Sequence, residues 1–294
     1  MGEKRSFSLT DFYLILAMVI WGSDYYFAKV ALREISPLSF AAMRTLIATT
    51  VLFPLLLRRE KNWHVSRRTL LGLAVLALFG TVLNRIFWSA GLDLTTASNS
   101  ALIMSASPIF VLFFSFLFLR TEITFRAGLG IIISFVGVFL VIERDWAGWT
   151  MTSQTFLGDL LTIGAALSFA LFTIFAKRML QGHSSLKVTA YIVLIGAIFL
   201  APFLPNEKGG GWGGISGWAW VAVVYVGIMG NCLAYFLWVR GIKNIGALRT
   251  VLYQYLNPVT AILFAVPLLH ESLTGTQIIG AIVVFGGIFL ARSE

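Results

Sequence analysis

GLDLTTASNSALIMSASPIF at residues 91–110 and GIKNIGALRTVLYQYLNPVT at residues 241–260 are two copies of one pattern, set 150 residues apart. Gly91 matches Gly241, Ala97 matches Ala247, Leu102 matches Leu252 and Pro108 matches Pro258. The register continues through Gly130 with Gly280, Gly137 with Gly287, and Phe139-Leu140 with Phe289-Leu290; a one-residue slip then pairs Glu122 with Glu271. Upstream, Gly80 and Trp88 fall on Gly230 and Trp238. The first helices align at an offset of 148, where Asp11 meets Asp159 and the Phe-Ala-Lys of 27–29 meets that of 175–177. So ordered a series marks an internal duplication, with residues 1–150 as one copy and 151–294 as the other.

What each copy is made of follows from composition. Hydrophobic residues are 58% of the chain, charged residues only 12%, and the mean hydropathy is +0.87. Soluble domains carry about a quarter charged residues, so this chain lacks the polar side chains to clothe a water-facing surface. The net charge of +9 is not gathered on one face. Basic residues sit between apolar runs, which is a membrane topology signal rather than a nucleic-acid surface. A hydrocarbon core about 30 Å thick needs about 20 apolar residues in a helix. On that scale the chain predicts spans at 12–31, 36–57, 69–90, 96–119, 124–142, 157–176, 187–204, 217–238, 246–269 and 274–291. The runs are continuously apolar rather than alternating, which selects helices over a barrel. The fold expected is therefore all-α and integral to the membrane: ten transmembrane helices.

Five spans per copy is an odd number, so the second copy enters the membrane upside down. Inverted repeats are the architecture of alternating-access carriers, with the substrate held near the crossing of the two halves. With the N-terminus inside, sixteen Lys and Arg fall on cytoplasmic segments and three (Arg33, Arg144 and Lys208) on external ones. That bias places both termini in the cytoplasm. No cleavage site follows Lys4 and Arg5, so the first apolar run is read as a retained span. The glycine-rich stretch 209–214, with Trp212, reads as an external loop.

Trp21-Gly22-Ser23, the run from Ala97 through Pro108 to Glu122, its counterpart from Pro258 to Glu271, and the glycine-spaced last helix of each half resemble the EamA-type members of the drug/metabolite transporter superfamily. The resemblance covers essentially the whole chain, twice over. It implies a bacterial inner-membrane carrier with a central cavity, often an exporter of amino acids or other metabolites, aromatic amino acids among them. The chain departs from that pattern at Asp24, where such proteins often carry an amide. A carboxylate there introduces the alternative of a proton-coupled exporter of drugs or charged metabolites.

Ionisable groups inside a span cost about 2.5–3.5 kcal/mol each and usually serve function. Asp24, Arg44, and Asn84 with Arg85 all fall in one half of the membrane depth, where they could share a cavity. An acid with two arginines suits a zwitterionic amino acid, ammonium to Asp24 and carboxylate to Arg44 or Arg85. The plainer reading is an ion pair that locks helices together. The fourth and ninth spans are each broken by a proline with polar neighbours. From these we take Asn99, and Tyr253, Gln254 and Asn257, as cavity candidates, with the serines between Ser98 and Ser107 assigned to packing. Trp21, Tyr25 and Tyr253 would supply an aromatic wall, favouring an aromatic or large neutral substrate. Trp88 and Trp238 read as interfacial belt or gate residues, and Glu122 and Glu271 as solvated or interfacial helix ends.

Nothing predicts catalysis. His64, His183 and His270 share no metal-ligand spacing, Cys232 is the sole cysteine, and there is no phosphate-cradling loop. No cofactor and no metal are expected; the partners are a small-molecule substrate and the lipid bilayer. A membrane enzyme acting on lipid-linked substrates would need acids or histidines converging at one surface, and none is evident. The oligomeric state is left open.

Overall fold

The computed structural model describes residues 8–119, 125–142, 153–205 and 212–292. Glu122 and residues 209–211 of the glycine-rich stretch lie outside them. Helices account for nearly all of it, and no strand occurs among the described residues. In chain order they are α1 (Leu9–Leu32), α2 (Pro37–Arg59), α3 (Arg67–Leu94), α4 (Ala97–Phe118), α5 (Phe125–Ile142), α6 (Ser153–Leu180), α7 (Ser185–Phe203), α8 (Gly217–Ile245), α9 (Ala247–Leu269) and α10 (Gly275–Arg292). Eight are long and apolar enough to cross a membrane; α5 and α10 contain shorter apolar helices, Gly128–Val141 and Gly275–Gly287. These elements overlie the predicted spans to within a few residues at most ends.

Hydroxyl caps start many of the helices. Ser8, Ser36, Ser66, Thr96, Ser184 and Ser216 each accept the backbone N–H three residues on, which satisfies a donor that the first turn leaves free. Thr274 and Gln277 do the same reciprocally at α10. Trp212 opens a short 3₁₀ turn and stacks on Trp220, with ring centroids 5.9 Å apart.

Breaks recur at matching places in the two copies. α4 breaks at Ser105 and Ala106 before Pro108, and α9 narrows to a 3₁₀ turn at Leu252–Tyr255 before Pro258. A proline cannot donate to the carbonyl four residues back. Hydroxyls answer part of that loss in α4: Ser107 Oγ donates to Met104 O at 2.6 Å and Ser105 Oγ to Leu102 O at 2.6 Å. α3 and α8 each contain a π-helical segment, Leu78–Leu83 and Val226–Ala234, and these overlap at the offset of the repeat.

The packing repeats as well. α5 lies against α10 and α2 against α7, each first-copy helix on its own counterpart. α1 packs on α9 as α6 packs on α4, and α3 on α6 as α8 on α1. Exchanging the two copies thus returns the same set of neighbours. The α5–α10 contact depends on glycine: a Cβ on Gly137 would sit 2.8 Å from Gly280 O, and one on Gly287 would sit 2.6 Å from Gly130 O.

Candidate functional site: a buried cavity with unpaired charges

α1, α2, α3, α4, α6 and α9 converge on a small cavity. Asp24, Arg44, Asn84, Arg85, Gln254 and Asn257 give it polar groups; Trp21, Tyr25, Trp88, Phe169 and Met104 give it walls. The charged groups are deeply buried: Asp24 is 2% exposed, Arg44 1% and Arg85 6%.

Each arginine is held by an amide and by aromatic faces: Phe40 and Trp88 for Arg44, Tyr235 for Arg85. Arg44 donates from Nε and Nη2 to Asn231 Oδ1 at 3.2 and 2.8 Å, and its guanidinium lies 4.7 Å from the centre of the Trp88 ring. Asn231 also donates to Thr45 Oγ1 at 3.5 Å. Arg85 donates from Nη1 to Asn84 Oδ1 at 3.2 Å and lies 5.1 Å from the Tyr235 ring centre. Asn84 is anchored by its Nδ2 donating to Ala165 O at 3.0 Å, and Tyr235 by its hydroxyl donating to Gly80 O at 3.0 Å. Contacts of a cation with an aromatic face contribute about 0.5–2 kcal/mol, more where water is excluded.

The π-helical segments aim these groups. A π turn carries one extra residue, which rotates everything after it by about 100° relative to an unbroken α-helix. Asn84 and Arg85 follow the segment in α3 directly, and Gly230 and Asn231 lie inside the one in α8. Gly230 is sterically required: a Cβ there would stand 1.9 Å from Asp24 Oδ2. Its carbonyl accepts the Trp21 Nε1–H at 3.1 Å, which fixes the indole beside Phe169 and Trp238.

Among the described residues, Asp24 makes no ion pair with either arginine, so the helix-locking pair raised from the sequence is absent. Five polar atoms of the lining are buried and lack a hydrogen-bond partner: Asp24 Oδ1, Arg44 Nη1, Arg85 Nε, Gln254 Oε1 and Asn257 Oδ1. Each such atom costs about 1–3 kcal/mol, more when charged.

Eight of the ten residues proposed from the sequence line this cavity: Trp21, Asp24, Tyr25, Arg44, Asn84, Arg85, Gln254 and Asn257. Asn99 and Tyr253 do not. Asn99 donates to Asp159 Oδ1 at 2.6 Å and accepts from Gln277 Nε2 at 3.1 Å, tying α4 to α6 and α10. The Tyr253 hydroxyl donates to Asp11 Oδ1, tying α9 to α1. Other readings need correction. Of the belt or gate readings for Trp88 and Trp238, the belt is excluded, since they are 6% and 0% exposed; Trp88 walls the cavity and Trp238 packs on Trp21 and Phe169. Glu271, expected to be solvated or interfacial, is half-buried and accepts the Ala97 and Ser98 N–H groups at 2.8 and 2.9 Å at the start of α4. Phe169, Met104 and Asn231 were not singled out. For Asn231 a signal existed: it is an amide within an apolar span, next to the repeated Gly230.

Comparison with known proteins places this geometry in context. The EamA-like transporter family matches the chain twice, over residues 8–143 and 156–293. An uncharacterized transporter of Archaeoglobus fulgidus is 29% identical over 98% of both chains. The uncharacterized transporter YetK of Bacillus subtilis is 28% identical over 94% of this chain and 84% of its own. A probable amino-acid metabolite efflux pump of Salmonella typhimurium is 26% identical over 95% of this chain and 93% of its own. A solved crystal structure, 19% identical, superposes with a TM-score of 0.70 over 96% of each chain, which bears on the fold.

Proposed function

The chain belongs to the EamA-like transporter family of multi-pass membrane proteins, and on that premise we propose that it is a secondary carrier for a small zwitterionic metabolite. An amino acid is favoured, aromatic or large and neutral, exported by alternating access. The reading includes ten spans in two inverted sets of five, both termini cytoplasmic, in a bacterial inner membrane. It also holds that the chain is not an enzyme.

The observation that carries the substrate class is the inventory of unpaired atoms. Three are acceptors (Asp24 Oδ1, Gln254 Oε1 and Asn257 Oδ1) and two are donors (Arg44 Nη1 and Arg85 Nε). An ammonium brings three N–H donors and a carboxylate two acceptor oxygens. An α-amino acid therefore answers each orphan, with its side chain among Trp21, Tyr25, Trp88 and Phe169. The Salmonella relative's description as an amino-acid metabolite efflux pump agrees with this class.

Solute counterflow in proteoliposomes tests the reading. Preloaded unlabelled aromatic or large neutral amino acid should drive transient uptake of labelled amino acid, and N-acetylated or esterified analogues should fail. No counterflow across a panel of amino acids would overturn it. Proton coupling is the second reading, motivated by the buried Asp24 carboxylate. It expects Asp24→Asn to abolish any pH dependence of transport, and unchanged pH dependence removes it.

A further inference from the structure

Away from the central cavity, a groove lies between the start of α3 and the end of α6. That groove carries Arg68 and Arg178. Val75, Leu76, Phe175 and Met179 line it further along the same two helices. The Met179 methyl lies over Gly72, where a Cβ would meet the Met179 Cε at 2.3 Å.

The charge of this groove is unbalanced. Lys243 Nζ donates to His183 O at 3.0 Å, which brings a third cation to the groove's edge. The nearby acid, Glu60, is already engaged: Lys187 Nζ lies 3.5 Å from its Oε2 and the Ser184 hydroxyl donates to its Oε1. Among the described residues neither Arg68 nor Arg178 has an ion-pair partner.

The two ends of the groove also differ in kind. From Arg68 to Val75 is seven residues, about 10 Å along a helix. Over that distance the lining passes from guanidinium groups to exposed hydrocarbon: Val75 is 50% exposed. A soluble anion would use the first part only. A ligand with an anionic head and a hydrocarbon tail uses both.

We infer that the α3–α6 groove is a binding site for an anionic phospholipid, its phosphodiester between Arg68 and Arg178 and one acyl chain along Val75 and Phe175. Arginine suits a phosphodiester because its planar donors can meet two oxygens at once. Basic pockets between helices at a membrane surface select lipid heads by the same chemistry.

Photo-crosslinking of the purified full chain in detergent micelles tests this. A phosphatidylglycerol bearing a diazirine on its acyl chain should label peptides within 67–79 or 175–183. Unlabelled phosphatidylglycerol should compete far better than phosphatidylcholine. In the Arg68→Gln/Arg178→Gln variant that preference should fall about 30-fold, at about one kcal/mol for each lost charge. Should the variant not fold, 1 M salt on the wild type should shrink the preference by screening the groove's charges. Labelling elsewhere, or a preference indifferent to both charge removal and salt, overturns the site. Competition by glycerol phosphate equal to that of the lipid overturns it in favour of a soluble anion.

Discussion

Asp11 and Asp159 occupy one position in the two copies, and both bind the helix that opposes their own, yet they do so differently. Asp11, half-buried on α1, completes a capping box with Ser8 and accepts the Tyr253 hydroxyl from α9. Asp159, buried on α6, accepts Thr95 Oγ1 from the α3–α4 connection and Asn99 Nδ2 from α4, both at 2.6 Å. Asn99 carries the connection to Gln277, whose own oxygen accepts the Thr274 N–H at 2.9 Å. The duplication has preserved where the clamp sits while its donors have changed. The cavity shows a parallel division of labour. The first copy supplies every charge in the lining, and the second supplies Gln254, Asn257 and the Asn231 that orients Arg44.

The strongest way to break that division is to strip the first copy of a charge. Arg44→Gln should lower transport about 30–100-fold, since a carboxylate loses a charge-assisted donor worth about 2–3 kcal/mol. Asn231→Ala, which leaves the charge but frees it, should cost less, about tenfold. Initial-rate uptake into proteoliposomes measures both, and equal effects would deny that Asn231 acts through Arg44.

Next come the clamps themselves. Asp159→Ala strands Asn99 and Thr95 in the interior and should destabilise by about 2–4 kcal/mol. Asp11→Ala, at a half-buried site with water near at hand, should cost about 1 kcal/mol. Thermal unfolding in detergent ranks them, and a reversed order would show that burial does not set the difference. Glu271→Gln retains one acceptor for two N–H groups and should cost about 1 kcal/mol in the same assay.

The smallest effect lies outside the spans. Glu34 accepts the Ser216 N–H and hydroxyl at 2.6 and 2.7 Å, and those bonds hold its carboxyl below the usual carboxylate range. A depressed folded-state value contributes stability above the unfolded value, about 4.3 for Glu, and loses it as pH falls through the folded one. Wild type should therefore unfold slightly above Glu34→Gln at pH 7, with the gap closing near pH 3. A gap that widens in acid would contradict the assignment.

Much of this was readable beforehand because membrane insertion writes itself into composition. Long apolar runs, a repeat at a fixed offset and rare in-span charges each have one dominant cause, so the helices and eight cavity residues could be named. What stayed hidden depends on rotation about a helix axis. Nothing in the residue types of Leu78–Leu83 or Val226–Ala234 announces a π turn, because its signature is a hydrogen-bond register. Trp88 and Trp238 carry the chemistry of belt residues and differ only in which way they face. Asn99 and Tyr253 are polar groups in broken helices, as expected, but neighbouring carboxylates claim them first.

The α5–α10 seam has a last consequence. Its two backbone approaches, Gly137 to the Gly280 carbonyl and Gly287 to the Gly130 carbonyl, are images of each other about one crossing point. A methyl group at either glycine pushes the same two rods apart, so the second lesion finds a gap already open. Gly137→Ala and Gly287→Ala should consequently be strongly sub-additive, the pair failing as a single rivet rather than as two.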